Sequence, residues 1–403
     1  MRLGTTCGAA LVGALMAAGA VGAAPKYDPG ASDSEILIGI TAPLSGPASA
    51  YGVACQAHDA YFRMINEEKG GVNGRKLKLL CEDDGFSPPR AIEQTRKLVE
   101  SSGVLFMYNS LGTSTNSAVQ PYLISMEVPQ LLLNSGASKW LDPAANPWQT
   151  SSIPQNRTEA EIFARHILAT KPGAKVAVLQ QSDDYGKDYV AGLKLGFGDA
   201  YGKIVVAHET FELSDPTVDS QMLKIASSGA DVVVLGALAK HAAQAIRKMG
   251  EIQGFKPQIY LGWASSGIDS VLVPAGVAAS TGIISTAVIK HPDDPAWAND
   301  AGVKTYRAFM DKYFPAGVKS SISNVYAYAT DEVLVDILTR AGDDLTRANI
   351  NKMARQTDVQ PSMYIDGVRF TISTEDLDPI KAFQLIQFDG AKWNQIGEPF
   401  RKK

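Results

Sequence analysis

Short apolar segments alternate with longer amphipathic segments along most of this chain, and the alternation limits the folds open to it. The apolar segments fall into two series, 35–40, 76–81, 104–108 and 128–133, then 176–180, 204–210, 232–235 and 259–261. Near-continuous apolar strands separated by helices are typical of parallel sheets covered on both faces. Two such series predict an α/β protein with two lobes, each a doubly wound parallel sheet.

The remainder of the chain must return to these two lobes. Residues 297–313 and 328–341 have helical patterns, and 368–372 and 383–388 read as a final pair of strands. We expect three crossings between lobes, near Ser151, Ser285 and Val359. The predicted lobe boundaries are 34–150 plus 285–358 for lobe 1, and 151–284 plus 359–403 for lobe 2.

The N-terminus has the pattern of a secretory signal peptide over residues 1–23. Arg2 precedes an apolar stretch at 9–21, and Val21-Gly22-Ala23 is a small-residue cleavage site. A membrane anchor fits less well, because a spanning helix needs about 20 consecutive apolar residues. We therefore expect export to the periplasm. The net charge of −4 gives no basic surface for nucleic acid.

Two cysteines, Cys55 and Cys81, follow the predicted cleavage site. An oxidising compartment favours a disulfide between them, and two buried free thiols are the alternative.

The sequence lacks the motifs of common enzyme classes. It contains no phosphate-binding loop, no dinucleotide-binding glycine pattern after a strand and no serine-nucleophile elbow. Its five histidines are scattered without metal-ligand spacing. We predict a binding protein that is not an enzyme and has no cofactor.

A series of motifs in order along the chain carries a family resemblance. They are residues 41–47 (TAPLSGP), Tyr51-Gly52, 70–77 (GGVNGRKL), 82–84 (EDD) and 184–186 (DYG). The series resembles the periplasmic leucine/isoleucine/valine-binding proteins. The resemblance implies two lobes that close on a small ligand by a hinge motion. It also implies docking of the closed form on a membrane permease with its ATPase. We expect a monomer.

The resemblance places the ligand carboxylate on two loops of lobe 1. One contains Ser110, Leu111, Gly112 and Thr113, and the other contains Ser135, Gly136 and Ala137. Free N–H groups at helix starts favour an anion, although Thr113 can also be a simple N-cap. Tyr51 and Tyr185 match family positions that face the cleft, with ordinary packing as the alternative. Lys139 and Arg157 are further candidate anchors or simple surface charges.

Departures from the family concern recognition of the ligand ammonium. Ala264, beside Trp263, stands where the amino-acid binders have an acidic residue. Leu238 replaces a tyrosine, and Gly112 replaces a serine. A buried ammonium without a counter-charge is unfavourable. The sequence therefore predicts a carboxylate with an aromatic or apolar body, with branched-chain amino-acid binding or soluble ligand sensing for a receptor as alternatives.

Overall fold

The computed structural model describes residues 25–402, together with Met1 and Gly4. The predicted signal peptide otherwise lies outside the described residues. The strands are β1 (Lys26–Tyr27), β2 (Glu35–Ala42), β3 (Lys76–Asp83), β4 (Phe106–Tyr108), β5 (Gln130–Leu133), β6 (Gln149–Ser151), β7 (Val176–Gln181), β8 (Val205–Phe211), β9 (Val232–Gly236), β10 (Gln258–Leu261), β11 (Ile284–Ala287), β12 (Asp344–Leu345), β13 (Thr357–Val359), β14 (Phe370–Ile372), β15 (Ala382–Phe388) and β16 (Trp393–Arg401). The helices are α1 (Val53–Glu68), α2 (Pro88–Arg96), α3 (Thr113–Ser125), α4 (Asn156–Thr170), α5 (Asp184–Phe197), α6 (Tyr201–Ile204), α7 (Asp219–Ser227), α8 (Ala239–Glu251), α9 (Val273–Ala275), α10 (Val277–Ser280), α11 (Ala301–Tyr313), α12 (Ile322–Ala341) and α13 (Arg347–Ala354).

Two large sheets form the centres of the two lobes. The first has the order β3-β2-β4-β5-β6 and is parallel throughout. The second has the order β16-β15-β11-β10-β9-β7-β8, and its β8-β7-β9-β10-β11 portion is parallel in the same topological order. Both sheets reverse strand order beside their first strand, and ligands of open α/β sheets bind at such switch points. The predicted fold class is confirmed.

The final two predicted strands join different sheets. The strand predicted at 368–372 is β14, which pairs with β13, and the strand predicted at 383–388 is β15, which forms a hairpin with β16. The hairpin follows from its turn, where the Asp389 carboxylate accepts hydrogen bonds from the backbone N–H groups of Ala391 and Lys392. Gly390 adopts φ 103° there, which a residue with a side chain rarely does. The Asp-Gly pair was the available hairpin signal.

Strand pairing shifts two of the predicted lobe boundaries. Residues 285–287 were assigned to lobe 1, but β11 lies in the second sheet, so the second crossing follows Ala287. The third crossing follows β14 and not Val359, because β14 pairs with β13 beside the lobe 1 helix α12. Apolar content alone does not tell which sheet a strand joins.

Helix α12 returns to lobe 1 and packs on α1. A buried polar cluster joins the two helices to β4. The Asp331 carboxylate lies 2.8 Å from His58 Nδ1 and accepts a hydrogen bond of 2.6 Å from the Tyr108 hydroxyl. Burial raises the pKa of Asp331. The cluster fixes α12 in a position from which its first turn reaches the cleft.

Cys55 and Cys81 form a disulfide in the structure. It links α1 to β3, whose Cα atoms at these residues are 6.3 Å apart. The helix that follows β2 is thus tied to β3, the edge strand of the first sheet.

Candidate ligand-binding site

A cavity lies between the lobes, at the carboxyl ends of the parallel strands, and the space around it amounts to about 620 Å³ when its opening to solvent is included. Small-molecule sites typically occupy mostly apolar clefts of this kind between lobes. Ten of the twelve residues predicted to contact ligand line this cavity: Tyr51, Leu111, Gly112, Thr113, Ser135, Gly136, Tyr185, Leu238, Trp263 and Ala264.

The lobe 1 side of the cavity is a hydrogen-bonding surface at the start of α3. Thr113 Oγ1 and Ser135 Oγ are 2.8 Å apart, and Trp140 Nε1 donates to Ser135 Oγ at 2.8 Å. The two hydroxyls have two hydrogens, and only one lies between them. The other is left for the cavity, beside the unpaired N–H groups and positive end of the helix. This arrangement suits a carboxylate.

Gly112 has a structural reason to lack a side chain. It precedes α3 with φ 105°, and a Cβ there would lie 2.6 Å from the ring of Phe86. The glycine therefore brings the loop backbone against the Phe86 ring, which also lines the cavity.

Two predicted site residues lie outside the cavity. Ser110 is buried, and its hydroxyl oxygen accepts hydrogen bonds from the backbone N–H and the hydroxyl of Thr41. Ala137 packs with Leu133 and Trp140. Both belong to the predicted loops, but their side chains point into lobe 1.

The lobe 2 side of the cavity combines apolar surface with polar groups, and two of its donors are unused. Leu238, Trp263 and Ala264 supply apolar surface. The Tyr185 hydroxyl and Trp263 Nε1 are buried and have no hydrogen-bond partner in the described part of the chain. An unpaired buried donor costs about 1–3 kcal/mol, so a ligand acceptor that reaches either group gains that energy.

Glu159 supports the Trp263 turn from beneath. Its carboxylate accepts hydrogen bonds from the backbone N–H of Trp263 (2.8 Å), the hydroxyl of Tyr189 (2.6 Å) and the hydroxyl of Thr286 (2.5 Å). Burial raises the pKa of Glu159 to about 7. One buried carboxyl group therefore connects α4, α5, β11 and the wall of the cavity.

Tyr51 bridges the lobes at the rim of the cavity. Its hydroxyl donates to the backbone oxygen of Ala264 at 3.0 Å and accepts from the backbone N–H of Ala239 at 3.0 Å. Tyr51 lies on lobe 1, whereas both partners belong to lobe 2. These bonds form only when the lobes are together.

Lys139 and Arg157, predicted as candidate anion anchors, instead lie outside the cavity. Arg157 is 3.2 Å from the carboxylate of Asp188, which also accepts from the backbone N–H and hydroxyl of Ser138 across the cleft. Lys139 approaches Asp184 of lobe 2 at 3.4 Å. Both cations have acidic partners, so they contribute to contacts around the lobe interface.

Sequence reasoning missed several cavity residues. They are Phe86, Ile153, Gln181, Asp183, Ile322, Ser323 and Tyr326; Asn134, within a predicted loop, also lines the cavity. Asp183 matters most because it is acidic and burial raises its pKa. It caps α5 by accepting from the backbone N–H of Gly186 at 3.1 Å, and Gln181 Nε2 donates to it at 2.7 Å. Its place beside the DYG motif was the available signal.

Comparison with known proteins matches this architecture. Residues 35–392 match the family described as periplasmic binding protein. The chain belongs to this family. The resemblance to leucine/isoleucine/valine-binding proteins is thereby confirmed. Leu/Ile/Val-binding protein homolog 1 of Brucella abortus is 23% identical over 324 residues, which cover 78% of this chain and 81% of the relative.

Two solved structures show the same fold as this periplasmic binding protein. A branched-chain amino acid ABC transporter protein from Thermus thermophilus with bound valine superposes with a TM-score of 0.81 at 16% identity, over 92% of this chain and 97% of the other. A solute-binding protein of an ABC transporter from Rhodopseudomonas palustris, in complex with 3,4-dihydroxy benzoic acid, gives a TM-score of 0.77 at 17% identity, over 92% and 98%.

Family membership fixes the general role. This is a periplasmic solute-binding protein of the ABC-transporter type, from a family whose members bind small molecules. The family indicates a periplasmic location. Within residues 25–402, no helix combines the length and hydropathy needed to cross a bilayer.

Proposed function

We propose that this protein closes on a small carboxylate with an aromatic or apolar body and delivers it to the permease of an ABC importer. The observation that carries the proposal is the asymmetry of the cavity. Hydroxyl and helix N-terminal donors lie on lobe 1 at Thr113 and Ser135, whereas the lobe 2 lining is largely apolar at Leu238, Trp263 and Ala264, beside the polar residues Gln181 and Asp183.

The apolar wall suits an aromatic or branched body. Aromatic rings contribute large contact areas and prefer edge-to-face neighbours, which Trp263 and Tyr326 already form at 5.9 Å between ring centroids. The fold neighbour from Rhodopseudomonas palustris, in complex with a dihydroxybenzoic acid, supports a ligand of this class.

A free amino acid is the second candidate, and Asp183 favours it. Asp183 lines the cavity, and its carboxyl group is the acidic group available there to pair with a ligand ammonium. Each of its oxygens already accepts a protein hydrogen bond, from Gly186 and Gln181, and so has only its remaining lone pairs for an ammonium. The fold neighbour with bound valine supports this alternative.

Matched ligand pairs separate the two candidates. Calorimetry with phenylpropanoate and phenylalanine, and with isocaproate and leucine, compares molecules that differ only in the ammonium group. We expect tighter binding of the acid in each pair. Tighter binding of the amino acids, abolished by Asp183→Asn, would refute the proposal and establish the alternative.

A substitution tests the proposed binding of the ligand carboxylate at the lobe 1 end of the cavity. Thr113→Val keeps the shape of the side chain and removes the hydroxyl that pairs with Ser135. A hydrogen bond to a charged group contributes about 1.5–3 kcal/mol, so we expect affinity for the acids to fall at least tenfold. Ser117→Ala on the same helix is the control, since that hydroxyl donates to the backbone oxygen of Thr113 and lies outside the cavity lining. Equal affinity of Thr113→Val and the parent protein would contradict the placement.

A further inference from the structure

A second cavity lies behind the first, at the crossings between the lobes, and the space around it amounts to about 600 Å³ when its opening to solvent is included. Trp263 and Ile322 line both cavities and form the wall between them. The second cavity is predominantly apolar. Ala287, Ile289, Trp297, Val325, Ile365 and Trp393 are among its other walls.

The charged groups around the second cavity already have protein partners. Lys290 Nζ is 2.8 Å from the Asp300 carboxylate and 3.3 Å from that of Asp366. Asp294 pairs with Lys392 at 3.6 Å. Burial lowers the pKa of His291, which favours its neutral form. The occupant that such a cavity accommodates best is uncharged and apolar.

Trp263, in the wall between the cavities, is anchored by a hydrogen bond of its backbone and not by one of its ring. Glu159 holds the backbone N–H of Trp263, while the indole Nε1 has no partner in the part of the chain that the structure describes. By contrast, Trp393 Nε1 donates to the backbone oxygen of Ser266 at 3.0 Å, and Trp140 Nε1 donates to Ser135. No hydrogen bond within the described residues therefore fixes the orientation of the Trp263 ring, and the passage between the two cavities depends on its packing against Tyr326.

We propose that the second cavity is a tail chamber, which receives the far end of an elongated carboxylate whose head is held at Thr113 and Ser135. The inference rests on the proposed function and extends it from small aromatic acids to arylalkanoates and medium-chain acids. Trp263 is then the residue that determines how much of the ligand passes beyond the first cavity.

The first experiment measures dissociation constants of the full protein for phenylacetate, phenylpropanoate, phenylpentanoate and phenyloctanoate. Each methylene that enters an apolar chamber contributes about 0.8 kcal/mol, so affinity should rise about fourfold per added methylene. A fall in affinity beyond the shorter acids would overturn the tail chamber and leave the proposed function intact. Failure of every acid to bind would overturn both.

The second experiment locates the tail by tryptophan quenching. Of the five tryptophans, Trp263, Trp297 and Trp393 line the second cavity, whereas Trp140 lies behind the carboxylate loop. A straight-chain acid with bromine on its last carbon should quench the emission of Trp297, so the quenching should be smaller in Trp297→Phe than in the parent protein. The same acid with bromine beside the carboxyl group should quench the emission of Trp140, so the quenching should be smaller in Trp140→Phe. If the tail-brominated acid quenches Trp297→Phe and Trp393→Phe as strongly as the parent protein, the placement of the tail is refuted.

A matched pair of substitutions completes the test. Ala287→Leu fills part of the second cavity and should remove the gain for long acids while leaving phenylacetate affinity within twofold. Ala264→Leu fills the first cavity and should weaken phenylacetate as well. Weakening of short and long acids to the same extent by Ala287→Leu, in a protein that keeps its far-UV circular dichroism, would contradict a separate chamber.

Discussion

The buried carboxyl group of Glu159 allows a quantitative prediction about pH and stability. Its pKa rises to about 7 from an ordinary value of 4.5, because burial disfavours the charged form more than three hydrogen bonds favour it. Between these two values the folded protein keeps a proton that the unfolded chain releases. Stability therefore falls as pH rises through this window, and the loss is complete above about pH 7.

The difference between the ordinary pKa of 4.5 and the folded-state pKa of about 7 corresponds to about 3 kcal/mol of folding free energy, at 1.36 kcal/mol per pKa unit. Glu159→Gln cannot ionise, keeps an acceptor for Trp263 and Thr286, and can donate to the Tyr189 hydroxyl. The unfolding free energy of the variant, measured relative to that of the parent protein, should therefore rise by about 2.5 kcal/mol from about pH 5 to about pH 8.

Urea unfolding followed by circular dichroism at these two pH values measures the difference. Glu161→Gln is the control, because Glu161 is on the same helix and its carboxylate forms an exposed i,i+4 pair with Arg165. We expect it to change stability by less than about 0.5 kcal/mol at either pH. An unfolding free energy of Glu159→Gln that stays parallel to that of the parent protein across the pH range would refute the reasoning.

Three further predictions concern closure and the disulfide. Tyr51→Phe removes two hydrogen bonds that exist only between closed lobes, so calorimetry should show a loss of ligand affinity of about tenfold or more, at about 1 kcal/mol per bond; unchanged affinity would exclude that role. Asp188→Asn weakens the contacts with Ser138 and Arg157, and small-angle scattering should show a larger radius of gyration in the absence of ligand; an unchanged radius would mean that this contact does not hold the lobes together. Cys55→Ser combined with Cys81→Ser should lower the urea-unfolding free energy by about 3 kcal/mol, since the bridge joins residues 26 apart; the parent protein under reductant should behave alike, and a loss below about 1 kcal/mol would contradict this estimate.

The parts of the fold that follow from local patterns were predictable. Apolar strands alternating with helices identified both parallel sheets, and the loops after the strands contained most of the cavity lining. The β15–β16 hairpin was missed because β16 is largely polar and exposed on one face. Its turn signal, Asp389-Gly390, was more informative than its strand composition.

The lining from α12 could not be predicted in the same way. Ile322, Ser323 and Tyr326 reach the cavity because α12 crosses back to lobe 1 and packs on α1. Most of this helix is buried, so its sequence has no polar stripe that marks one face. Its approach depends on long-range contacts such as the one between His58 and Asp331.

Ligand selectivity and lobe closure depend on different groups, and this separation can be tested. Tyr51 lines the cavity, but the hydrogen bonds of its hydroxyl, like those of Asp188, join protein to protein. They therefore change the population of the closed form and affect the apparent affinity of every ligand by the same factor. Selectivity must come from groups that face the cavity, among them Tyr185, Trp263 and Asp183. The ratio of affinities for phenylpropanoate and phenylalanine should therefore be the same in Tyr51→Phe as in the parent protein. Asp183→Asn should change that ratio by weakening the amino acid more than the acid. A ratio altered by Tyr51→Phe would mean that Tyr51 contacts the ligand itself, and closure and recognition would then share a residue.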